Sequence, residues 1–259
     1  VDLTVTDPDG PTESVPEAPR LRVETGRHTA VIRRVDTDAE GRRVATASQD
    51  KTARLWRARD GRLLRVFRPP VGDGNEGRLD AVALSPDGGT VATAGWTKGG
   101  SRHHNIYLFD TTTGRLLRRL PGLPNVIKDL AFSGDGTRLA AGLGAGHGVR
   151  VWRLPDDAVV VHDSAYEGEV YGVAFGPDGQ LATTCFDGII RLYGPDGTCE
   201  RQAEAPGGKR PFKIAFRPQG DCLAVGYDDA AAVDRLDAAT LAPLSRPDTE
   251  GLDNGNFSK

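Results

Sequence analysis

Apolar and polar residues alternate along this chain in short runs, and the runs recur. Ala81-Val82-Ala83-Leu84, Leu130-Ala131-Phe132, Val173-Ala174-Phe175 and Ile214-Ala215-Phe216 each precede a tight turn. Their period of two predicts strands with two different faces. The turns read DAEG (38–41), SPDGG (85–89), SGDG (133–136), GPDG (176–179) and RPQG (217–220). Gly41, Gly88, Gly136, Gly179 and Gly220 in these turns recur at intervals of 47, 48, 43 and 41. Glycine there supplies the positive φ that a tight hairpin turn demands.

Small apolar residues follow each turn: Val44-Ala45-Thr46-Ala47, Val91-Ala92-Thr93-Ala94, Leu139-Ala140-Ala141, Leu181-Ala182-Thr183 and Leu223-Ala224-Val225. Small side chains let neighbouring sheets approach. A third segment ends in a large side chain, at Trp56, Phe109, Trp152, Tyr193 and Leu236, with spacings of 53, 43, 41 and 43. A fourth is more polar: 61–67, 114–120, 158–162, 199–203 and 240–244. Its alternation of Leu with Arg fits an outer strand with one wet face, where arginines protect a solvated edge. Four strands per unit of about 40–45 residues predict an all-β fold, a β-propeller of four-stranded antiparallel blades. Helical solenoids of similar period need a 3.6-residue rhythm, which no useful length of this chain shows. An immunoglobulin-like sandwich would not reproduce one template five times.

The first unit carries a family resemblance. Gly26-Arg27-His28, followed by Ser48-Gln49-Asp50-Lys51-Thr52-Ala53-Arg54-Leu55-Trp56, resembles a WD-repeat blade, which runs from a Gly-His pair to D-x-T-x-x-x-W. The resemblance implies a hydrogen-bonded tetrad of His28, Ser48, Asp50 and Trp56. A partly buried carboxylate needs donors in series, and His, Ser and the Trp N–H provide them. Later units lack the Gly-His pair. Only Asp187 and Asp229 hold turn-Asp positions there. The wording SPDG, IYLFD, IRLY and LATTCFDG is similar to WD-repeat segments of large bacterial proteins, often fused to effector domains such as caspase-like peptidases.

Residues 1–20 are rich in Pro, Asp, Glu and Thr and read as a linker. Residues 21–251 hold the blades. Leu21 and Val23 alternate and are candidates for the outermost strand of a final blade. Asn256-Phe257-Ser258-Lys259 lines up with the entries to first strands at 125–128 and 211–213, so 252–259 read as the start of a sixth blade. The resemblance implies a ring of seven. The expectation is therefore a chain that is part of a longer protein and incomplete as a ring, able to oligomerise if the ring is open. The absence of methionine, even at position 1, fits an excised piece.

Charge and chemistry narrow the function. With 33 Lys+Arg against 36 Asp+Glu, the net charge is −3, which argues against nucleic acid as the partner. No run of 18 apolar residues spans a bilayer, so no membrane partner is expected. Three cysteines do not make a disulfide scaffold. The string GLGAGHG (142–148) is followed by a strand, not a helix, so it reads as a hairpin loop and not a phosphate cradle. His103 and His104, in the loop 96–105, have no further ligands at supporting spacing, so no metal and no cofactor are expected. Carboxylate pairs such as Asp156-Asp157 fall in turns.

The connecting loops of one face remain. They hold Trp96, His103, His104, Tyr166, Phe186, Lys209, Arg210, Tyr227 and Asp228. Aromatics with arginine on a rigid scaffold are the composition of protein-binding hot spots. The chain thus reads as a non-catalytic scaffold or regulatory module that binds another protein, or another domain of its own chain. The alternative is a propeller enzyme or ligand-binding module with a site in the central channel. That would need inward acids, histidines or metal ligands, and the first strands read as mostly Val, Ala, Leu and Phe.

Overall fold

The computed structural model describes residues 24–244, 246 and 247. The proposed linker, the strand candidates Leu21 and Val23, and the sixth-blade start at 252–259 lie outside the described residues. Blade 1 is β1 (Ile32–Thr37), β2 (Arg43–Ser48), β3 (Ala53–Arg57) and β4 (Leu63–Phe67). Blade 2 is β5 (Leu79–Leu84), β6 (Thr90–Gly95), β7 (His104–Asp110) and β8 (Leu116–Leu123). Blade 3 is β9 (Ile127–Phe132), β10 (Arg138–Leu143), β11 (Val149–Arg153) and β12 (Ala158–Asp163). Blade 4 is β13 (Val170–Phe175), β14 (Leu181–Cys185), β15 (Ile189–Tyr193) and β16 (Cys199–Glu204). Blade 5 has three strands, β17 (Pro211–Phe216), β18 (Cys222–Tyr227) and β19 (Val233–Asp237).

The strands pair in chain order, antiparallel throughout. The five turn glycines all have positive φ, between 63° and 81°. Each donates its N–H to the carbonyl three residues back, as in Gly88 to Ser85 at 2.8 Å and Gly136 to Ser133 at 2.8 Å. The segment 144–148 is the β10–β11 connection, as expected of a hairpin loop. Gly148 is obligatory there: at φ +68°, a Cβ would stand 1.9 Å from the Asp163 carbonyl oxygen. The expected fourth strand of blade 5 is a single bridge, Leu236 to Pro243. Proline has no N–H to extend the ladder.

The core is divided among the junctions between blades. Ala45 and Ala47 of blade 1 pack with Leu79 and Val82 of blade 2. Ala92 and Ala94 pack with Ile127 and Leu130. Ala140 packs with Val170 and Val173, and Ala182 with Ile214. Each fully buried Ile or Leu contributes roughly 1.5–3 kcal/mol, and the alanines let the sheets close on them.

The outer-strand arginines correct one expectation. Arg65 donates to the carbonyls of Thr111 at 3.1 Å and Thr113 at 3.0 Å, and to Thr112. Arg118 donates to the Leu154 carbonyl and to Asp157 at 2.6 Å. These guanidinium groups fan onto a turn of the following blade. They fasten blade 1 to blade 2 and blade 2 to blade 3, beyond protecting a solvated edge.

Candidate docking face and its supporting network

At blade 1, three side chains and a carboxylate form a relay. The Trp56 Nε1–H donates to Thr46 Oγ1 at 2.8 Å. Thr46 Oγ1 stands 2.7 Å from His28 Nε2, and His28 Nδ1 stands 2.8 Å from Asp50 Oδ2. With Trp56 occupying one side of the hydroxyl, Thr46 donates to Nε2, and His28 carries its proton on Nδ1, facing Asp50. Thr52 Oγ1 and the Thr29 N–H also donate to Asp50, at 2.6 and 3.1 Å. Burial alone would raise this carboxyl, but the hydrogen bonds from His28, Thr52 and Thr29 outweigh it and hold Asp50 well below the usual range.

The hydroxyl expected at Ser48 is supplied by Thr46. Both lie on one face of β2, two residues apart, but Thr46 is the one between His28 and Trp56. Ser48 instead donates to the Ala30 carbonyl and accepts the Asp50 N–H.

Blade 4 fills the same frame with other groups. Thr183 pairs with Arg191 as Thr46 pairs with Arg54. Tyr166 O–H lies 2.9 Å from Thr183 Oγ1 and 2.6 Å from Tyr193 O–H, and Tyr193 donates to Asp163 at 2.7 Å. Burial, chiefly, pushes both phenols far up. Asp187 takes the Asp50 place, paired with Arg191 at 2.8 Å. In blade 5, Asp229 accepts the N–H groups of Lys209 and Arg210, at 2.9 and 3.1 Å. In all three blades the turn aspartate pins the incoming loop by its backbone.

The channel is charged, which corrects the reading of the first strands as mostly apolar. Every first strand shifts register near its start: at Ile32/Arg34, Leu79/Ala81, Ile127/Asp129, Val170/Gly172 and Pro211/Lys213. Such a bulge re-aims side chains. Arg34 of blade 1 reaches Asp129 of blade 3 at 3.1 Å and the Tyr171 carbonyl of blade 4 at 2.9 Å. Lys213 of blade 5 meets the same carboxylate at 2.5 Å, and the Val173 N–H donates to it at 2.9 Å. Asp129 is 1% exposed and takes a donor from three other blades. Asp36 accepts the Leu84 N–H at 2.8 Å, and burial raises its carboxyl.

The expected contact residues separate into three groups. Phe186, Arg210 and Asp228 come together. The Arg210 guanidinium lies 4.1 Å from the Phe186 ring centroid and 3.1 Å from Asp228, with half its side chain exposed. Phe186 continues into a stack with Tyr171 at 4.3 Å, and Tyr171 stacks on Phe212 at 5.0 Å. Lys209 is exposed beside them. His103 is exposed and Trp96 half-buried, in the distant loop of blade 2.

His104, Tyr166 and Tyr227 face inward. His104 is 3% exposed and accepts the Thr97 N–H on Nδ1 at 3.2 Å. Burial lowers it to about 4, helped by the charges of Lys98 and His103. Tyr166 is 6% exposed, with the Arg191 guanidinium 4.0 Å from its ring. Tyr227 is half-buried and donates to Asp234. Tyr166 lies in a connecting loop but has an apolar body to bury, whereas His104 and Tyr227, expected in loops, stand in β7 and β18. Tyr171, Phe212, Lys128 and Arg34 were missed. Aligning the five first strands side by side would have shown the charged and aromatic column.

Comparison with known proteins fits this geometry. Residues 21–57, 114–153 and 159–194 match the family described as WD domain, G-beta repeat. The chain carries three segments similar to WD repeats on an all-β propeller. Its second matched stretch runs from β8 of blade 2 through β11 of blade 3, so one sequence repeat joins an outer strand to three strands of the next blade. The chain is 26% identical over 204 residues to Periodic tryptophan protein 2 homolog of Dictyostelium discoideum, covering 71% of this chain and 21% of that protein. It is 35% identical over 124 residues to Coronin-7 of Bos taurus, covering 39% of this chain and 14% of that protein. It is 30% identical over 119 residues to the guanine nucleotide-binding protein subunit beta of Nicotiana tabacum, covering 44% and 30%. The chain thus spans less than a third of each of these relatives.

Proposed function

We propose that this propeller is a non-catalytic interaction scaffold, and that a partner protein docks on the loops around Arg210. The observation that carries this reading is the half-exposed guanidinium of Arg210, stacked on Phe186 and paired with Asp228. Such a group is already ordered, so a partner does not have to freeze it. It rests on an aromatic stack and on loops pinned by Asp187 and Asp229. The channel charges favour a structural part: Asp129 is saturated by Arg34, Lys213 and a backbone N–H. The wording of the repeats supports a segment of a large bacterial multidomain protein, with an effector domain as a partner within the same chain. A complete ring of seven blades is part of that reading.

The test is Lys209→Ala with Arg210→Ala in the full chain, against Arg62→Ala with Arg115→Ala as an exposed control pair. Partners captured by the wild type are identified and then titrated. Binding is expected to fall at least tenfold, about 1.4 kcal/mol, in the loop variant alone. The melting curve should stay close to wild type. Loss of binding in the outer-strand pair, with the loop pair normal, would move the docking surface to the propeller's side.

A further inference from the structure

The junctions between blades are not closed alike at the hairpin turns, the strand ends opposite the Arg210 loops. Arg43, Thr90, Arg138 and Gln180 hold one place, just before Val44, Val91, Leu139 and Leu181 in the register of the second strands. Arg43 crosses to blade 2, where it donates to the Gly88 carbonyl at 2.7 Å and to Thr111 Oγ1 at 3.1 Å. Arg138 crosses to blade 4 in the same way. It donates to the Gly179 carbonyl at 3.0 Å and the Pro195 carbonyl at 3.1 Å, with its guanidinium 5.1 Å from the Phe175 ring centroid. Gly88 and Gly179 are equivalent turn glycines, and Thr111 and Pro195 each lie two residues past the large ring at Phe109 or Tyr193. The chain thus builds one guanidinium slot twice.

The junction of blades 2 and 3 has the walls of that slot, with Thr90 in place of the arginine. A cavity of about 540 Å³ opens there, and Thr90, Phe132, Gly136 and Leu154 line it. Phe132 holds the register of Phe175, Gly136 is the turn glycine, and Leu154 lies two residues past Trp152. A Cβ at Gly179 would stand 2.4 Å from the Arg138 guanidinium, whereas one at Gly136 would meet Pro86 at 3.7 Å. Gln180 of blade 4 is no arginine either, but there Pro177 closes the gap: a Cβ at Gly220 would stand 2.7 Å from it. Blades 2 and 3 have all four strands described, so the cavity lies between two whole sheets.

Its rim suits a cation. Asp87 and Asp135 stand there, and hydroxyl groups donated by Ser85 and Ser133, at 2.5 Å each, hold both carboxyls below the ordinary range. Arg118, also at the rim, is already paired with Asp157 at 2.6 Å. Phe132 offers a ring on which a planar guanidinium stacks better than an ammonium. We propose that this cavity takes an arginine side chain of a partner protein, in the place that Arg43 and Arg138 fill at the neighbouring junctions. The occupant is argued from the chain's own two filled slots and from the carboxylates at the rim. The site is independent of the loop surface at Arg210, which lies at the other ends of the strands.

Titration of the 259-residue chain with the peptide acetyl-Ala-Arg-Ala-amide, followed by nuclear magnetic resonance, tests it. The amides of 132–137 and 154 should shift and saturate. Citrulline in place of the arginine keeps the shape and loses the charge, and should bind roughly tenfold more weakly. Lysine keeps the charge and loses the plane, and should bind roughly threefold more weakly. Thr90→Arg fills the slot from within, so the shifts should vanish while the melting midpoint holds or rises. Thr90→Ser leaves the slot open and should bind as the wild type does. The Lys209→Ala, Arg210→Ala protein should bind the peptide normally, which separates this site from the loop surface. A citrulline peptide that binds as tightly as the arginine peptide overturns the proposal. So do shifts that fall elsewhere on the molecule, or that persist in Thr90→Arg. A Thr90→Arg protein that melts lower than the wild type overturns it too, because the slot then rejects a guanidinium.

Discussion

Blades 1 and 4 share one frame and fill it with different chemistry. In blade 1 an imidazole links a threonine to a carboxylate: His28 sits between Thr46 and Asp50. In blade 4 two phenols take over, and the chain of bonds runs from Thr183 through Tyr166 and Tyr193 to Asp163. The threonine is common to both, at the same register of the second strand. The turn aspartate is common too, but its partner changes from His28 to Arg191. What the fold demands is a satisfied polar link between the incoming loop and the third strand. It does not demand histidine.

The comparison makes Thr46 the node of blade 1. Thr46→Val keeps the shape and removes the hydroxyl, leaving Trp56 Nε1–H and His28 Nε2 buried without partners. The expected loss is about 2–3 kcal/mol, read from the urea midpoint. Ser48→Ala serves as the contrast, with a loss of about 1 kcal/mol or less, because it removes a bond to one carbonyl at 3.1 Å and one from an N–H. If Ser48→Ala costs more than Thr46→Val, the relay runs through Ser48 and the two blades differ more deeply than their registers say.

Tyr193→Phe is the matching change in blade 4, with an expected loss of about 1–2 kcal/mol. It is smaller because Asp163 is only partly buried and turns to water, whereas His28 cannot. Tyr166→Phe should behave alike, since both remove links of one chain. A double variant that costs no more than either single change would show the two phenols acting as a unit. Fully additive losses would mean that each acts alone.

These differences show what was legible in the sequence. The hairpin turns and strand alternation were readable because they are local: a glycine at a fixed offset from Val-Ala or Leu-Ala defines its own hairpin. His28, Asp50 and Trp56 were readable from their spacing. The choice of Thr46 over Ser48 was not, because period two places both on one face and only the depth of His28 decides between them. The relay of blade 4 was hidden because Tyr166 looked like a loop aromatic free for contact. The charged column at Arg34, Asp129 and Lys213 is split among three strands, and β1 also holds Arg33 and Asp36 while β9 holds Lys128, so no single strand shows which charges meet. The bulge that turns them to one axis depends on pairing, and no single strand reveals it.

The last prediction contrasts two histidines and carries the smallest effect. His28 faces a carboxylate, whereas His104 of blade 2 is buried near the positive charge of Lys98, and lies at about 4. An unfolded chain takes a proton on this residue near its ordinary value of about 6.5, while the folded chain resists until about 4. Between those values the unfolded state binds more protons, so stability falls as pH falls through the window. Asp50 moves the opposite way. Its depressed carboxyl contributes stability that is complete above the ordinary carboxylate range and lost only below it, so it is silent in this window. The wild type should therefore lose roughly 1 kcal/mol between pH 7 and pH 4.5 from His104, with allowance for screening. His104→Gln keeps an acceptor for the Thr97 N–H and cannot titrate, so its urea midpoint should fall less over the same interval. Equal falls in the two proteins would show that His104 charges freely in the folded blade.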